Sequence, residues 1–376
     1  MNRERLTPRE GWKQKLEEVG FTFHSIDGVY WDESVCYSML SSEIDALEKA
    51  SQELHGMCLQ AVEHILAKDL FERLVVPMPF RQWIRDSWVR KDPSIYGRFD
   101  FTVQPGKPPK LLEYNADTPT SLVESSIAQW FWLEEAKPGA DQFNSIHEKL
   151  IERWAEFKGP LSAGIHFASV HESEEDFRTV EYLRDTALQA GIEGLWVAVE
   201  DLGWSDGLGR FVDLEEKPIE NLFKLYPWEW FLREAFGVHL VKDPARFLEP
   251  PWKMLLSNKG LLPILWELFP NHPNLLPAFF SPEPLGPRHA RKPLYSREGA
   301  NVTLVDGIQQ TEVEGPYGKE GYIYQALAPL PVFDGEHHAV VGSWIVGDQS
   351  AGIGIREDST AVTRNTSRFV PHYFQH

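Results

Sequence analysis

The sequence predicts a fold of mixed class, with α+β and α/β parts that meet around a common site. Three observations carry this prediction. Residues 1–97 show mainly helical periodicity, residues 161–248 show a strand–helix–strand order, and residues 249–376 show short β-like runs between turns rich in Gly and Pro. At 376 residues, the chain is long enough for two or three structural units with a sizeable core.

The helical signal is clearest in the segment SSEIDALEKASQELHGMCLQAVEHILA, which begins at Ser41. Its apolar side chains recur close to the spacing of one helix face, at Ile44, Leu47, Leu54, Met57, Val62 and Ile65. Ser41 or Ser42 is a candidate N-cap, because a serine hydroxyl can accept a hydrogen bond from a free N–H of the first turn. We therefore expect residues 1–97 to form the helical N-terminal part of the protein.

A β-hairpin is predicted next, from the stretch RFDFTVQPGKPPKLLEYN. PGKPP supplies the turn, and polar and apolar residues alternate on both sides of it. One face of the hairpin would carry four polar side chains, Arg98, Asp100, Glu113 and Asn115. The other face would carry the apolar side chains Phe99, Phe101, Val103, Leu112 and Tyr114.

Two interpretations of this polar face remain open from the pattern alone: the solvated side of an amphipathic hairpin, or a metal site. Asp, Glu and Asn side chains offer hard oxygen ligands, which suit magnesium better than zinc. Arg98 would match the geometry of a phosphate. A helix should follow directly, with Thr118 as N-cap and Pro119 in its first position, where free backbone N–H groups favour anions. Residues 98–160 are thus expected to hold the hairpin and this helix.

The middle of the chain predicts a parallel α/β unit. The apolar run AGIHFASV and the later run EGLWVAVEDLGW are typical of buried strands. Between them, SEEDFRTVEYLRDTALQAG is typical of a capped amphipathic helix that ends at Gly191. Strand, helix and strand in this order indicate parallel pairing within residues 161–248.

The last part, residues 249–376, contains three cationic side chains of interest. Lys259 in SNKGLLPILW and Lys292 in RKPLYSREGANV stand near Gly, where a lysine can serve a phosphate as a point charge. Neither lies in a GxxxxGK[ST] loop, and the chain has no GxGxxG motif, so a solvated surface lysine is the commoner explanation for each. Arg356 in GIGIRED is either a salt-bridged strand end or a cation that faces an acyl-phosphate.

Composition excludes several classes of protein. The formal net charge of −19 lacks the basic field that nonspecific nucleic-acid binding needs, so no nucleic-acid partner is expected. The two cysteines, Cys36 and Cys58, form neither a CxxC pair nor a zinc pattern. No apolar run approaches the ~20 residues of a membrane span, and the N-terminus lacks the apolar core of a signal peptide. We therefore expect a cytoplasmic protein with no membrane partner.

Five motifs, in this order, resemble those of the glutathionylspermidine synthase family: RFDF…LLEYNADTPTS, EPPWKMLLSNKGLLPILWELFP, KPLYSREGANV, YIYQALAPLP and REDS. The resemblance is strongest to the stand-alone acid–amine ligases of the family, which lack its amidase domain. It implies a permuted, glutathione-synthetase-like ATP-grasp fold that forms one synthetase module. Residues 161–248 would be its Rossmann-like pre-ATP-grasp unit, residues 98–160 its metal-binding hairpin and helix, and residues 249–376 its lid and nucleotide-binding part.

The resemblance also implies roles for individual residues. Arg98 and Arg356 would be catalytic, the first at the reacting end of the acid and the second at the acyl-phosphate. Magnesium, as two ions, would be bound by Asp100, Glu113 and Asn115. The implied ATP-binding residues are Arg98, Phe99, Asp100, Lys259, Lys292, Glu298, Gly299, Gln325, Ala326, Leu327, Ala328, Ala361, Val362 and Thr363. The implied acid-binding residues are Arg98, Thr118, Thr120 and Glu175.

The function implied is an ATP- and magnesium-dependent acid–amine ligase, in which an amine displaces phosphate from an acyl-phosphate. A loop around Ser296–Asn301 should close over the reaction, and a carboxylate base should deprotonate the amine, although the sequence does not identify it. Arg368 stands where the family has a polyamine-binding carboxylate, and a cation there would repel spermidine. Threonines stand where the family has acid-binding serines. These departures leave the acid and the amine open. Two alternatives also remain, an ATP-binding regulator without catalysis and a phosphotransferase.

Overall fold

A computed structural model describes residues 1–25, 28–364 and 367–375 of the chain. Within these ranges the fold is mixed, as predicted, and several β-sheets alternate with helices along the chain. The α-helices are Trp12–Glu18, Ser41–Lys68, Arg81–Val89, Gln129–Ala136, Ile146–Glu156, Glu174–Gln189, Trp228–Phe231, Met254–Ser257 and Leu261–Leu268.

Three large sheets position the site, and a smaller N-terminal sheet and a two-stranded ribbon complete the β-structure. The central sheet has six strands: Tyr96–Thr102, Lys110–Asn115, Val332–Phe333, His337–Val346, Gln349–Asp358 and Arg368–Val370. The parallel sheet has the strands Ile165–Ser169, Gly194–Ala198, Asn221–Lys224 and Arg246–Leu248. The lid sheet has the strands Ala278–Phe279, Arg288–Pro293, Thr303–Asp306, Gln309–Glu312 and Tyr322–Ala326. The N-terminal sheet has the strands Asn2–Arg5, Val35–Leu40 and His372–Gln375, and the ribbon has Gly203–Ser205 and Arg210–Val212.

The N-terminal part is helical as predicted, with two differences. The N-cap of the long helix Ser41–Lys68 is Leu40 and not a serine. The side chain of Glu43 accepts a hydrogen bond from the backbone N–H of Leu40 at 3.0 Å. Two short strands precede it and join the strand His372–Gln375 at the other end of the chain. The apolar face of the long helix packs into the largest hydrophobic core, together with the apolar side of the central sheet.

The predicted hairpin forms, and its four polar side chains line one cavity. Arg98 lies opposite Asn115, and Asp100 lies opposite Glu113. A register shift follows Asp100, however, so Leu111 packs in the core while Leu112 lines a cavity on the polar side. The prediction that Leu112 shares the apolar face is therefore wrong, because alternation breaks at a bulge.

Pairing within the central sheet brings the C-terminal part of the chain to the hairpin. The strand His337–Val346 lies between the hairpin strand and the strand that carries Arg356. Its Gly342 lies opposite Asp100, and a Cβ there would come within 2.8 Å of the Arg98 side chain. The glycine thus leaves room for Arg98 to lie across the sheet surface.

The helix after the hairpin begins later than predicted. Thr118 is not an N-cap: its backbone N–H donates to the side chain of Asn115 at 3.3 Å. Ser121 adopts a left-handed backbone conformation with φ 66°, and a π-helical turn, Glu124–Ala128, then leads into the helix Gln129–Ala136. The segment NADTPTS is therefore a loop, because its polar groups have partners outside a helix.

The parallel α/β unit forms as predicted. Its two predicted strands pair in parallel around the helix Glu174–Gln189, which is capped by the Ser173 hydroxyl at 3.2 Å from the N–H of Asp176. Lys224, at the end of a third strand, donates to Asp117 of the NADTPTS loop at 2.6 Å. Both side chains are fully buried, and the pair joins this unit to the loop that follows the hairpin.

Among the described residues, no helix is both long and apolar enough to cross a membrane.

Candidate active site

A cavity of about 460 Å³ lies between the polar face of the central sheet, the lid sheet and the carboxyl end of the parallel sheet. The central sheet contributes Arg98, Asp100, Glu113 and Arg356 to its wall, and the lid sheet contributes Lys292. The carboxyl ends of parallel strands are a common place for ligand sites in α/β proteins.

The structure brings most of the predicted site residues to this cavity. Its lining includes Arg98, Asp100, Glu113, Asn115, Thr118, Thr120, Lys259, Lys292, Glu298, Gly299, Gln325, Ala326, Leu327, Ala328, Arg356, Ala361, Val362 and Thr363. Phe99 is not part of the lining, because its ring is buried in the core and stacks on Tyr114 at 4.0 Å between ring centroids. Glu175 lies just outside it and contacts Thr120 of the cavity wall. The roles of these residues stay predictions.

Asp100 lies at the centre of a charge cluster. Arg98 Nε donates to its Oδ1 at 2.7 Å, and Arg356 Nη2 donates to its Oδ2 at 2.8 Å. The first of the two explanations of Arg356, a salt-bridged strand residue, thus describes its present contacts. Because Arg356 also lines the cavity, it is available to an anion bound there.

Glu113 is held by lysines of the last part of the chain. Lys259 Nζ lies 3.0 Å from Glu113 Oε2, and Lys292 lies close enough to act on its charge. Burial would raise the pKa of Glu113, but Lys259, Lys292 and Arg98 together lower it to about 2. Glu113 is therefore a permanent anion at physiological pH.

Lys292 is buried, unlike an ordinary surface lysine. Its Nζ donates to the Leu112 carbonyl at 2.9 Å and to Gln325 Oε1 at 2.7 Å. Burial lowers its pKa to about 8; the charge of Glu113 opposes this shift, and that of Lys259 adds to it. The simpler explanation, a solvated surface residue, does not describe this lysine.

The hairpin residues fit the chemistry of a magnesium site. Among the described residues, no three His, Cys, Asp or Glu side chains are grouped so that they could hold a metal ion. Asp100, Glu113 and Asn115 instead form a set of two carboxylates and one amide oxygen, on paired strands of one sheet face. Hard oxygen donors of this kind, with room for water and phosphate oxygens, are what magnesium uses.

The loop between the lid strands contains a cation that the sequence analysis missed. Arg297 donates to the Thr118 hydroxyl at 2.7 Å and to Glu229 Oε1 at 2.8 Å. Its neighbour Gly299 has φ +71°, and a Cβ there would lie 2.6 Å from the Thr363 carbonyl oxygen. Arg297 lies within the REGANV motif, so its cationic residue type was the available signal.

A second feature is a group of carboxyl side chains at the other end of the cavity, of which Glu175 and Glu298 were predicted as site residues and Glu124 and Asp176 were missed. Burial raises the pKa of Glu124 to about 7, and burial with repulsion by Glu124 and Asp176 raises that of Glu175 to about 8. Burial also raises the pKa of Asp176 to about 6 and moves that of Glu298 upward. Glu124, Glu175 and Asp176 come from two distant helical segments, and no local pattern marks their proximity.

Arg368, the cation expected to repel a polyamine, is paired with carboxylates. It pairs with Asp32 at 2.8 Å and also donates to Glu357, which is itself bound by Arg3 at 2.8 Å. The expected repulsion of an amine by Arg368 is therefore weakened, because two buried carboxylates neutralise its charge.

Two comparisons with known proteins match nearly the whole chain. The sequence profile of the glutathionylspermidine synthase preATP-grasp family matches residues 3–375. A Haemophilus influenzae protein named "Putative acid--amine ligase" is 44% identical over 380 residues, which cover 96% of each chain.

More distant relatives are larger proteins. The trypanothione synthetase of Crithidia fasciculata is 28% identical over 95% of this chain and 57% of its own length. The bifunctional glutathionylspermidine synthetase/amidase of Escherichia coli is 28% identical over 89% of this chain and 58% of its own length. The chain thus spans under three fifths of these two proteins.

Among solved structures, a glutathione synthetase-like effector from Globodera pallida superposes with a TM-score of 0.61. The match covers 97% of this chain and 96% of the effector at 10% sequence identity. It supports the fold, which is of the glutathione-synthetase-like ATP-grasp kind, as predicted.

Proposed function

The chain belongs to the glutathionylspermidine synthase preATP-grasp family, and on that premise we propose that it is an ATP- and magnesium-dependent acid–amine ligase. The family and the ligase class predicted from the motifs are confirmed, since the relatives are named as a ligase and synthetases. One observation supports the finer proposal most strongly: two carboxylates, two arginines and two lysines from distant segments converge on one cavity. That combination suits a magnesium–nucleotide complex.

The nucleotide would lie between the lid sheet and the hairpin. Lys259 and Lys292 would receive its phosphates, and the strand end Gln325–Ala328 would meet the base. Glu298, Gly299 and the segment Ala361–Thr363 would close around the phosphates. In this proposal residues 161–248 are the pre-ATP-grasp unit, and residues 249–376 carry the lid and nucleotide-binding part.

Asp100, Glu113 and Asn115 would hold the magnesium ions. When bound, magnesium neutralises charge on the phosphates and on the transferred phosphoryl group. Asp100 pairs with Arg98 and Arg356, and the pairing of Glu113 with Lys259 helps to keep the Glu113 carboxylate ionised. Both arginines are then positioned to contact the acid and the phosphoryl group.

The acid substrate would bind along the loop after the hairpin. Arg98 would hold its reacting carboxylate, and Thr118, Thr120 and Glu175 would line the same acid site. Arg356 would stabilise the acyl-phosphate. The loop Ser296–Asn301 would exclude water from this intermediate, as Arg297 already bridges to Thr118. Both substrates would be small molecules of the cytoplasm.

The experiment is a screen for magnesium-dependent ADP release. Purified protein is given ATP and pairs of acids and amines, beginning with thiol peptides and polyamines because the relatives' names include glutathionylspermidine and trypanothione. The ligase predicts ADP release that needs both substrates, with an amide found by mass analysis. A phosphorylated acid without amide would favour a phosphotransferase, and tight ATP binding without ADP release would favour a regulator.

A further inference from the structure

Glu124 and Glu175 lie beside the cavity, and the mechanism proposed above gives no account of their protons. Glu124 is fully buried: one oxygen accepts the Tyr30 hydroxyl, and Oε2 has no hydrogen-bond partner among the described residues. Glu175 is partly exposed and lies close to Thr120 of the cavity wall. Because a buried lone carboxylate is costly, Glu124 needs a proton or a nearby cation.

The charged neighbours of the pair act in opposite directions. Arg98 and Arg356 favour the ionised form of Glu124, as does the Tyr30 hydroxyl, yet burial keeps its pKa near 7. Glu175 is faced by three carboxyl groups, those of Glu124, Asp176 and Glu298. Its pKa of about 8 therefore reflects burial first and repulsion by these groups second.

We propose that Glu175 and Glu124 form a carboxyl pair that takes up the proton of the attacking amine, with Glu175 as the base and Glu124 as a positioning residue behind it. The geometry supports this placement. The Thr120 side chain lies close to Glu175. The backbone carbonyl oxygen of Thr120 accepts a hydrogen bond from Arg98 Nη1 at 2.5 Å. Glu175 thus lies one residue away from the guanidinium that would hold the reacting acid.

The step balances without a further reactant, and it rests on the proposed ligase function. The amine arrives as an ammonium ion and gives one proton to Glu175. Its lone pair then forms the carbon–nitrogen bond at the acyl carbon, while the carbon–oxygen bond to phosphate breaks. Phosphate leaves with the electron pair and takes the second proton from nitrogen. A base with a pKa close to the operating pH suits the first transfer.

A first test needs no substrate. Infrared difference spectra between about pH 6 and about pH 9 report protonated carboxyl groups that ionise in that window, where ordinary carboxyls are already ionised. Glu124→Gln and Glu175→Gln should each remove part of this signal. Glu174→Gln is the matched control, because Glu174 lies on the same helix turn with an exposed side chain and should leave the signal intact. A signal that neither variant changes overturns the proposed carboxyl pair.

A second test uses the acid–amine pair found in the screen. Glu175→Gln should lower amine-dependent ADP release by about 100-fold or more. Glu124→Gln should move the acidic limb of the pH–rate profile to lower pH, because loss of a neighbouring carboxyl lowers the pKa of Glu175. A purely structural role of Glu124 would leave that limb in place, and an unchanged limb overturns its assignment.

The two tests separate the possible failures. If the infrared signal behaves as expected but no acid–amine pair releases ADP, the ligase function fails while the carboxyl pair stands. If Glu124→Gln does not fold, Glu175→Gln still tests the base, since that side chain is partly exposed and glutamine keeps its size. Full activity of Glu175→Gln at all pH values would overturn the proposal.

Discussion

The two ends of the cavity hold the same kind of side chain in opposite states. At the nucleotide end, Asp100 and Glu113 are paired with arginines and a lysine, and the pKa of Glu113 falls to about 2. At the other end, burial raises the pKa of Glu124 to about 7 and that of Glu175 to about 8. The balance between burial and nearby cations, rather than residue type, thus separates a permanent anion from a proton acceptor.

The loop NADTPTS connects these two ends, and one buried ion pair holds it. Asp117 accepts from Lys224 Nζ at 2.6 Å and from the backbone N–H of Trp228 at 2.9 Å. Lys224 also lies over the Trp228 ring, 4.1 Å from its centroid. The spacing between the two ends therefore depends on a charge pair that no solvent reaches.

Lys224→Met should give the largest effect, a loss of about 3–5 kcal/mol in the free energy of unfolding, because it leaves Asp117 buried without its cation. Urea unfolding measures the loss. The double variant Lys224→Met/Asp117→Asn should recover part of it, since neither residue then carries an unpaired charge. Lys217→Met is the control, because Lys217 is exposed and pairs only on the surface. If Lys217→Met lost as much stability as Lys224→Met, the role of the buried pair would be contradicted.

Asp100→Ala should give the next largest effect, at the cation-rich end alone. It removes a predicted magnesium ligand and leaves Arg98 and Arg356 without their shared partner. Magnesium-dependent ADP release should fall roughly 100- to 1,000-fold with the fold intact by circular dichroism. Asp306→Ala, at an exposed pair with Arg288, should keep full activity. Wild-type turnover in Asp100→Ala would place the metal elsewhere.

The nucleotide end was more predictable from sequence than the acidic end, for a physical reason. Alternation on two adjacent strands places Asp100 and Glu113 together, because a hairpin is local. The bulge at Leu112 is set by pairing geometry, which alternation does not encode. Glu124 and Glu175 come near enough to repel each other only through the packing of distant segments in the folded chain.

The start of the helix after the hairpin shows how long-range contacts override a local signal. Thr118 and Pro119 have the residue types of a helix start, yet the helix begins only after Ser121. The Asn115 side chain accepts a hydrogen bond from the N–H of Thr118, and Asp117 pairs with Lys224. The local pattern identified the residue types of a helix start but not their partners. Likewise, the charge of Arg368 was visible in the sequence, whereas its pairing with Asp32 was not.

The carboxyl groups at the two ends of the cavity should make stability depend on pH in opposite directions. The folded pKa of Glu124, about 7, lies above its ordinary 4.5, so the folded protein binds more protons between these values and its stability falls as pH rises. The folded pKa of Glu113, about 2, lies below 4.5, so its stabilising contribution is present above pH 4.5 and is lost as pH falls toward 2.

In metal-free protein, Glu124→Gln should therefore be more favourable at pH 8 than at pH 5, by on the order of 1 kcal/mol or more in the free energy of unfolding. Glu113→Gln should instead cost stability at pH 6, and the cost should shrink as pH falls. Urea unfolding at each pH measures both, with Glu174→Gln as an exposed control. If the stability changes in the two variants do not depend on pH, the proposed electrostatic difference between the two ends is wrong.

Proton uptake on nucleotide binding should be the smallest effect, and it probes the cation-rich end through Lys292. Its pKa of about 8 means that near pH 8 about half of the free protein carries an uncharged Lys292. Phosphates placed beside the amine raise its pKa, so binding should take up about half a proton there and much less at pH 6. Isothermal titration of ATP in buffers of different ionisation enthalpy measures this uptake directly. Lys292→Arg is the matched variant, because arginine keeps the positive charge at both pH values and has no proton to gain. If ATP binds that variant but uptake at pH 8 equals the wild-type value, the proton belongs to another group, and Lys292 is charged in the free cavity.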